Sequence, residues 1–472
     1  LADIQKWSSQ GFPYGLNWSS PQETIADGEL YQAENVEYNY INNALKSVQG
    51  TEIKLTESAD IKTGYPYLGS TLYNVGNELY VTTDFATPVL LGTLTGSNDP
   101  IYASWDGKVL IASGGQLQEY DGISLTTIVG SPLSDYVTDR KGRVLAYNKT
   151  SDVLNYSATG DHTGWVNNPA DPSSSQFLNV GYKDGNPIAA IDTLANDIIV
   201  YKTPASGEVA GRVYRVLNEY PDWQVDELSR KTHCFSAVSV GNNAFFVGYG
   251  GFLNLAGVQE YGDINIIEAG RNINNYLIKN MDSNAKIWLV QNRKQIWMKS
   301  QNDKRVYMYH YVGRYSDGRG AFTVRTFEHQ LHDVWCVGGE VYIAYGNKIA
   351  RLDETKDTDD GVQIIGTITG QNRVPSRRFI VIKRSFMAKN IIPGNLTFTV
   401  GKRTENISFS ASSPDIYGNT DDIVGNTNDI MAEDFTQFRD MGGGGNRTVT
   451  VSIVIQSGSI ELRQADYDYV EV

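Results

Sequence analysis

A turn followed by a short apolar strand recurs seven times, and this repeat limits the fold more than any other feature. The copies are Val75-Gly-Asn-Glu-Leu-Tyr-Val81, Trp105-Asp-Gly-Lys-Val-Leu-Ile-Ala112, Arg140-Lys-Gly-Arg-Val-Leu-Ala-Tyr147 and Leu194-Ala-Asn-Asp-Ile-Ile-Val-Tyr201, then Val240-Gly-Asn-Asn-Ala-Phe-Phe-Val247, Val290-Gln-Asn-Arg-Lys-Gln-Ile-Trp297 and Val337-Gly-Gly-Glu-Val-Tyr-Ile-Ala344. Each reads as a hairpin, because Gly and Asn tolerate the positive φ of a tight turn and the flanks are β-formers. Successive turns lie roughly 30 to 54 residues apart, around the period of a four-stranded propeller blade. A single blade cannot cover both of its faces, but blades stacked radially cover one another. The spacing predicts an all-β chain with a β-propeller of six or seven blades over residues 71–353.

Composition agrees. The chain of 472 residues has 46 Gly and 29 Tyr but only 14 Pro, and long helical periodicity is nearly absent. The best helix candidate is short, residues 268–279, where Ile273, Tyr276 and Leu277 could share a face. The formal net charge is −14. A protein that grips phosphates over its whole surface would carry the opposite sign. No run of apolar residues is long enough to cross a membrane as a helix. Residues 1–10 lack the charged and apolar regions of a signal peptide. Cys234 and Cys336 sit in separate apolar runs, which predicts buried free thiols rather than a disulfide framework or zinc site.

On either side of the repeat the pattern changes. Residues 1–70 read as an N-terminal arm with strands that close the ring. Residues 354–472 read as a β-sandwich-like domain, reached through the acidic connector 353–361 and interrupted by a long acidic loop, 415–445. That loop holds a small duplication, Gly418-Asn-Thr-Asp-Asp-Ile423 and Gly425-Asn-Thr-Asn-Asp-Ile430, followed by four glycines at 442–445. Loops of this length inside a domain are functional or disordered.

No ordered catalytic set stands out. Glu328-His329-Gln-Leu-His332 has the wrong order and spacing for a zinc-peptidase helix, and its neighbours favour strand. Residues 316–323 approach the Asp-box turn of sialidases without meeting its order. The connector 353–361 has the composition of a calcium loop but not its alternating spacing, and reads as a solvated acidic loop. The glycines at 442–445 have no following Lys-Ser or Lys-Thr, so they are not a phosphate cradle. These readings predict no enzyme activity, no cofactor and no metal. Two clusters remain as candidate subunit or partner contacts: Asp421, Asp422 and Asp429 in the acidic loop, and Arg377, Arg378, Lys383 and Arg384 around an apolar strand, with Arg373 nearby. The basic cluster reads either as a sheet edge guarded by charge or as a docking face for an acidic partner or DNA backbone.

The order of several motifs resembles one family. Gly15-Leu-Asn-Trp-Ser-Ser-Pro21 is followed by Glu29-Leu-Tyr-Gln-Ala-Glu-Asn-Val36 and then Gln49-Gly50. Further on stand Leu154-Asn-Tyr-Ser-Ala-Thr-Gly-Asp-His-Thr-Gly-Trp165, Ile188-Ala-Ala-Ile-Asp-Thr-Leu194 and Gly320-Ala-Phe-Thr323. Together they resemble the tail nozzle proteins of short-tailed bacteriophages (podoviruses), also described as β-propeller tail tubular or packaged-DNA-stabilising proteins. The resemblance runs through about residue 370. It implies a structural virion protein of the phage tail and a homo-oligomeric ring, a hexamer, below the head-to-tail adaptor. Tail fibre, spike or needle proteins are further implied partners. Double-stranded DNA would pass the ring at ejection without tight binding, which suits acidic walls. The alternative is a glycan-binding or glycan-cleaving β-propeller acting on host surfaces. That class requires an aromatic-lined pocket with convergent carboxylates.

Overall fold

The computed structural model describes the chain except residues 1–3, 10–11, 42–43, 183, 195–196, 205–210, 219, 258–263, 301–302, 313–314, 375–378, 401–402, 410–428, 435–448 and 472. It is an all-β protein built on a β-propeller, with seven four-stranded blades among the described residues. The first blade is formed by Ile61–Tyr67, Ser70–Val75, Glu78–Thr82 and Val89–Thr93. Ile101–Trp105, Tyr136–Arg140, Ile188–Leu194, Ser236–Val240, Lys286–Val290 and Leu331–Val337 open blades two to seven. These opening strands lie beside one another around the ring axis. Blade seven takes its outermost strand, Gly50–Thr56, from the N-terminal part of the chain, so the ring is clasped shut by distant sequence.

Six of the seven recurrent hairpins join the first and second strands of their blades. The copy at 75–81 instead joins the second and third strands of blade one. The equivalent turn there is Leu68-Gly69, with φ values of 41° and 83°. Leucine is a poor left-handed turn residue, so this turn carried no sequence signal. Blade one therefore opens at Ile61, ten residues before the repeat suggested a ring begins. At Asp106-Gly107, by contrast, φ values of 43° and 77° match a two-residue turn that twists with its strands.

The core is divided into interblade seams. Leu72 and Leu79 of blade one pack on Val109 and Ile111 of blade two. Leu110 and Ala112 pack on Val137 and Val144, and Leu145 and Tyr147 on Ile188 and Ile198. Ile199 and Tyr201 meet Ala244 and Phe246, Trp297 and Met308 meet Ile343 and Tyr345, and Trp335 and Ile349 return to Ile61 and Tyr73. Each fully buried aliphatic side chain contributes about 1.5–3 kcal/mol, so stability is spread around the ring. Gly64 shows how closely blades one and seven approach. A Cβ there would lie 2.3 Å from the Trp335 ring.

The largest core lies where blades five and six meet the terminal segments. Ile273, which precedes the helix Asn274–Asn280, and Leu277 within it are buried there, with Tyr276 against the core's edge, so the expected face forms although the helix starts six residues later than the sequence suggests. Blade six does not end in a free edge. Ala321–Thr326 pairs with Gln32–Glu34, which pairs with Gly366–Thr369, and the sheet runs on into Val451–Glu471, Phe379–Val400 and Arg403–Phe409. The C-terminal β region is thus built onto the ring through the N-terminal segment. Its two long strands, of 22 and 21 residues, form a ribbon flanked by Ile4–Ser9 and Asp429–Asp434. No helix among the described residues is long and apolar enough to cross a membrane.

Candidate functional site

The segment 353–361 corrects one expectation. Glu354, Thr355 and Lys356 are exposed as expected, but Asp359 and Asp360 tie the clasp strand to the rest of blade seven. Asp359 is buried, accepting hydrogen bonds from Thr51 Oγ1 (2.8 Å) and the Glu328 N–H (2.6 Å). Asp360 takes Lys348 Nζ and His329 Nε2, and Asp357 accepts from the Gly458 N–H. Hydroxyl, amide and ammonium donors from three other segments consume the acid oxygens, so burial is tolerated. His329 precedes the strand Leu331–Val337 and His332 lies within it, and their side chains meet different partners. His329 pairs with Asp360, whereas His332 is buried near Asp60 and Lys62. Burial, and then Lys62, holds His332 down at about 4.

Beside these ties the N-terminal strand Val36–Tyr38 docks on blade six through a charged seam. Glu37 is 1% exposed and receives Arg293 Nη1 at 2.9 and 2.7 Å on its two oxygens. Gln295 Nε2 adds a bond at 3.0 Å, and Lys46 Nζ lies 3.5 Å away. Trp297 Nε1 donates in turn to Gln295 Oε1. Burial alone would raise the Glu37 carboxyl, but Arg293, Lys46 and Gln295 outweigh it and hold it at about 2. Above the seam opens a cleft of about 510 Å³, lined among others by Tyr40, Asn292, Glu340, Arg351 and Glu354. Its deepest acid, Glu37, is thus already saturated by basic partners.

Around the axis, side chains lace the blades together. Tyr102 of blade two bonds Thr63 of blade one at 2.9 Å. Trp288 Nε1 of blade six donates to Asp333 of blade seven, whose other oxygen accepts the Gly64 N–H of blade one. Lys286 of blade six reaches Asp99, in the connector between blades one and two, at 3.0 Å. Burial raises the Asp333 carboxyl, and Lys286 offsets part of that. At this rim side chains link blades six, seven, one and two around the ring axis.

The motif residues fall where segments are joined. Asn17 Nδ2 donates to Glu29 (2.7 Å), which also receives Asn272 and Tyr315. Asn35 accepts from the Thr326 N–H and donates to the Ile365 carbonyl. His162, in the run 154–165, bonds Glu119 of blade two at 2.5 Å, and Trp165 packs on the same interblade core. Within 316–323 the turn is confined to residues before Gly320, with Arg319 paired to Asp317, and 321–323 open the strand Ala321–Thr326.

Asp421, Asp422, Arg377 and Arg378 lie outside the described residues. For Lys383, Arg384 and Asp429 only the strand position is described. Lys383 stands opposite Asp468, Arg384 opposite Tyr467 and Asp434, and Asp429 opposite Lys389. The register thus brings part of the basic strand and the end of the acidic segment onto neighbouring strands of one sheet. Arg373 pairs with Asp27 and covers the Trp7 ring at 5.4 Å. Cys234 is buried and Cys336 half-buried, both as free thiols. Among the described residues no group of three or more His, Cys, Asp or Glu is placed to hold a metal ion. The Glu37–Arg293 seam was missed in the sequence; its one signal is a charged residue between Val36 and Tyr38.

No protein-family model matches the chain, and no curated protein sequence matches it with significance. Among solved structures it is similar to PorZ, a surface component of the type-IX secretion system of Porphyromonas gingivalis, at 10% identity and a TM-score of 0.42, over 77% of this chain and 46% of that one. It is similar to the extracellular domain of BT4673 from B. thetaiotaomicron at 9% identity and 0.43, over 90% and 62%. A third is BamB from Moraxella catarrhalis, at 10% and 0.41, over 74% and 97%. The chain thus spans about half to two-thirds of the first two. Likenesses at this level lend no weight to any function.

Proposed function

We propose that the chain is a structural virion protein, a tail nozzle subunit that assembles into a ring below the head-to-tail adaptor, closes the DNA channel and passes DNA at ejection. One observation carries the reading: the residues of the family-like motifs, Asn17, Glu29, Asn35 and Trp165, are the ones that join the N-terminal segment and the blades. The resemblance therefore concerns how this frame is assembled, not scattered surface identities. The lacing of the blades around the axis supports a channel formed between copies rather than through one subunit. The acidic balance supports passage of DNA without grip. A glycan-active propeller would need free carboxylates in an aromatic pocket, and the deepest carboxylate of the cleft is held by Arg293.

Electron microscopy of the purified full chain, alone and mixed with the adaptor of a short-tailed phage, tests this. Six-fold rings with a central hole, or density capping the adaptor, are expected. A monomer that ignores the adaptor and binds or cleaves surface glycans would overturn the reading.

A further inference from the structure

Asp192 sits at the axial margin of the seam between blades four and five. Its strand, Ile188–Leu194, lies beside Ser236–Val240 of the next blade. One carboxyl oxygen accepts from Ser239 Oγ, across the seam, and from the Thr193 N–H at 2.8 Å. The other is buried with no partner among the described residues. Both donors are uncharged, and no Lys, Arg or His among the described residues pairs with the group. The titratable groups that feel it are Tyr136 of blade three, Tyr201 of its own blade and Cys234 at the start of blade five. All three are neutral at ordinary pH, and burial together with the Asp192 charge pushes each upward. The Tyr201 hydroxyl is itself buried without a partner among the described residues. A carboxylate here has an orphaned oxygen and no countercharge, whereas the uncharged acid escapes the cost of desolvating a charge.

We infer that the seam between blades four and five is a pH-sensitive joint, closed most firmly while Asp192 is protonated and loosened when it ionises. Burial raises the group from 3.8 to about 6, with Ser239 and Thr193 offsetting part of that. A raised carboxyl binds its proton more tightly in the folded chain. Its contribution is full below the ordinary value and fades as pH rises through about 4 to 6. The joint is therefore loose at neutral pH and tight in mild acid.

The test compares wild type with Asp192→Asn and Ser239→Ala in the full chain at pH 5 and pH 7.5, by thermal unfolding and hydrogen exchange. Asn cannot ionise, so Asp192→Asn should raise Tm at pH 7.5 by roughly 3 °C and by about half as much at pH 5, where the wild-type group has lost only part of its contribution. Exchange in 188–194 and 236–240, corrected for intrinsic rate, should quicken at pH 7.5 in wild type only. Ser239→Ala removes a donor to the charged form and should move the transition to higher pH, which a merely structural contact would not do. In wild type alone, the infrared band of a protonated carboxyl should titrate near pH 6. A seam equally protected at both pH values, or a carboxyl band already lost by pH 5, would overturn the inference.

Discussion

Glu37, fully buried, and Asp192, half-buried with one oxygen shut off from solvent, are carboxylates at joints of the ring, and the chain treats them in opposite ways. Glu37, where the N-terminal strand docks on blade six, meets Arg293, Lys46 and Gln295 and is held at about 2. Asp192, between blades four and five, meets a hydroxyl and one amide and rises to about 6. Burial opposes the charge at both sites, so partners decide the outcome. The strand Val36–Tyr38 lies outside the four strands of blade six, and a saturated ion pair fixes its register against that blade. The seam between blades four and five already has apolar packing through Ile199, Tyr201 and Phe246, and tolerates a group that changes state.

The largest effect is expected from breaking the saturated joint. Glu37→Ala strips the half-buried Arg293 and the buried Gln295 of their shared carboxylate and should cost about 3–5 kcal/mol in urea unfolding. Adding Arg293→Met should recover part of this, because the orphaned charge goes with it. Glu37 also fixes the acid limb. Its depressed carboxyl contributes above the ordinary 4.5, and that contribution is lost as pH falls toward 2. Glu37→Gln should flatten this limb and leave the pH 5 to 7.5 response of Asp192 intact; loss of both would show that the joints are coupled. Next, Gly64→Ala drives a methyl into Trp335 and should cost about 1–3 kcal/mol at every pH. Gly107→Val meets no neighbour but forces a β-branched residue to a φ of 77°, so about 1–2 kcal/mol is expected, again without pH dependence. The smallest effect belongs to Lys286→Met. Its pair with Asp99 is more than a third exposed on both sides, and a Tm change within about 1 °C is expected.

Much of the ring was legible because hairpin turns leave local marks. Gly107 and Gly142 announce their blades, and the clasp follows from an N-terminal segment with strand character. The turn at Leu68 stayed hidden because its geometry is imposed by its blade, not by its residue types. The joints stayed hidden for another reason. Glu37 and Arg293 are 256 residues apart, and no periodicity connects them. Likewise, nothing in 353–361 reveals that Thr51 and Lys348 wait for its acids. The acidic loop at 415–445 is clear as composition, and its assignment as a contact still rests on composition.

The clasp strand also sets an order of events. Glu52 and Arg351, bonded across the last blade, are 299 residues apart. A nascent chain therefore carries Gly50–Thr56 through the synthesis of six blades before its partner strand exists. During that interval the strand is an open edge, able to pair with another chain. Its sequence, Gly-Thr-Glu-Ile-Lys-Leu-Thr, places charges at alternate positions, which discourages mismatched pairing while it waits. Such long-range closure makes the final step slow relative to the blades themselves. A pause in translation, or a chaperone acting late, would govern the yield of closed rings more than the stability of any single blade.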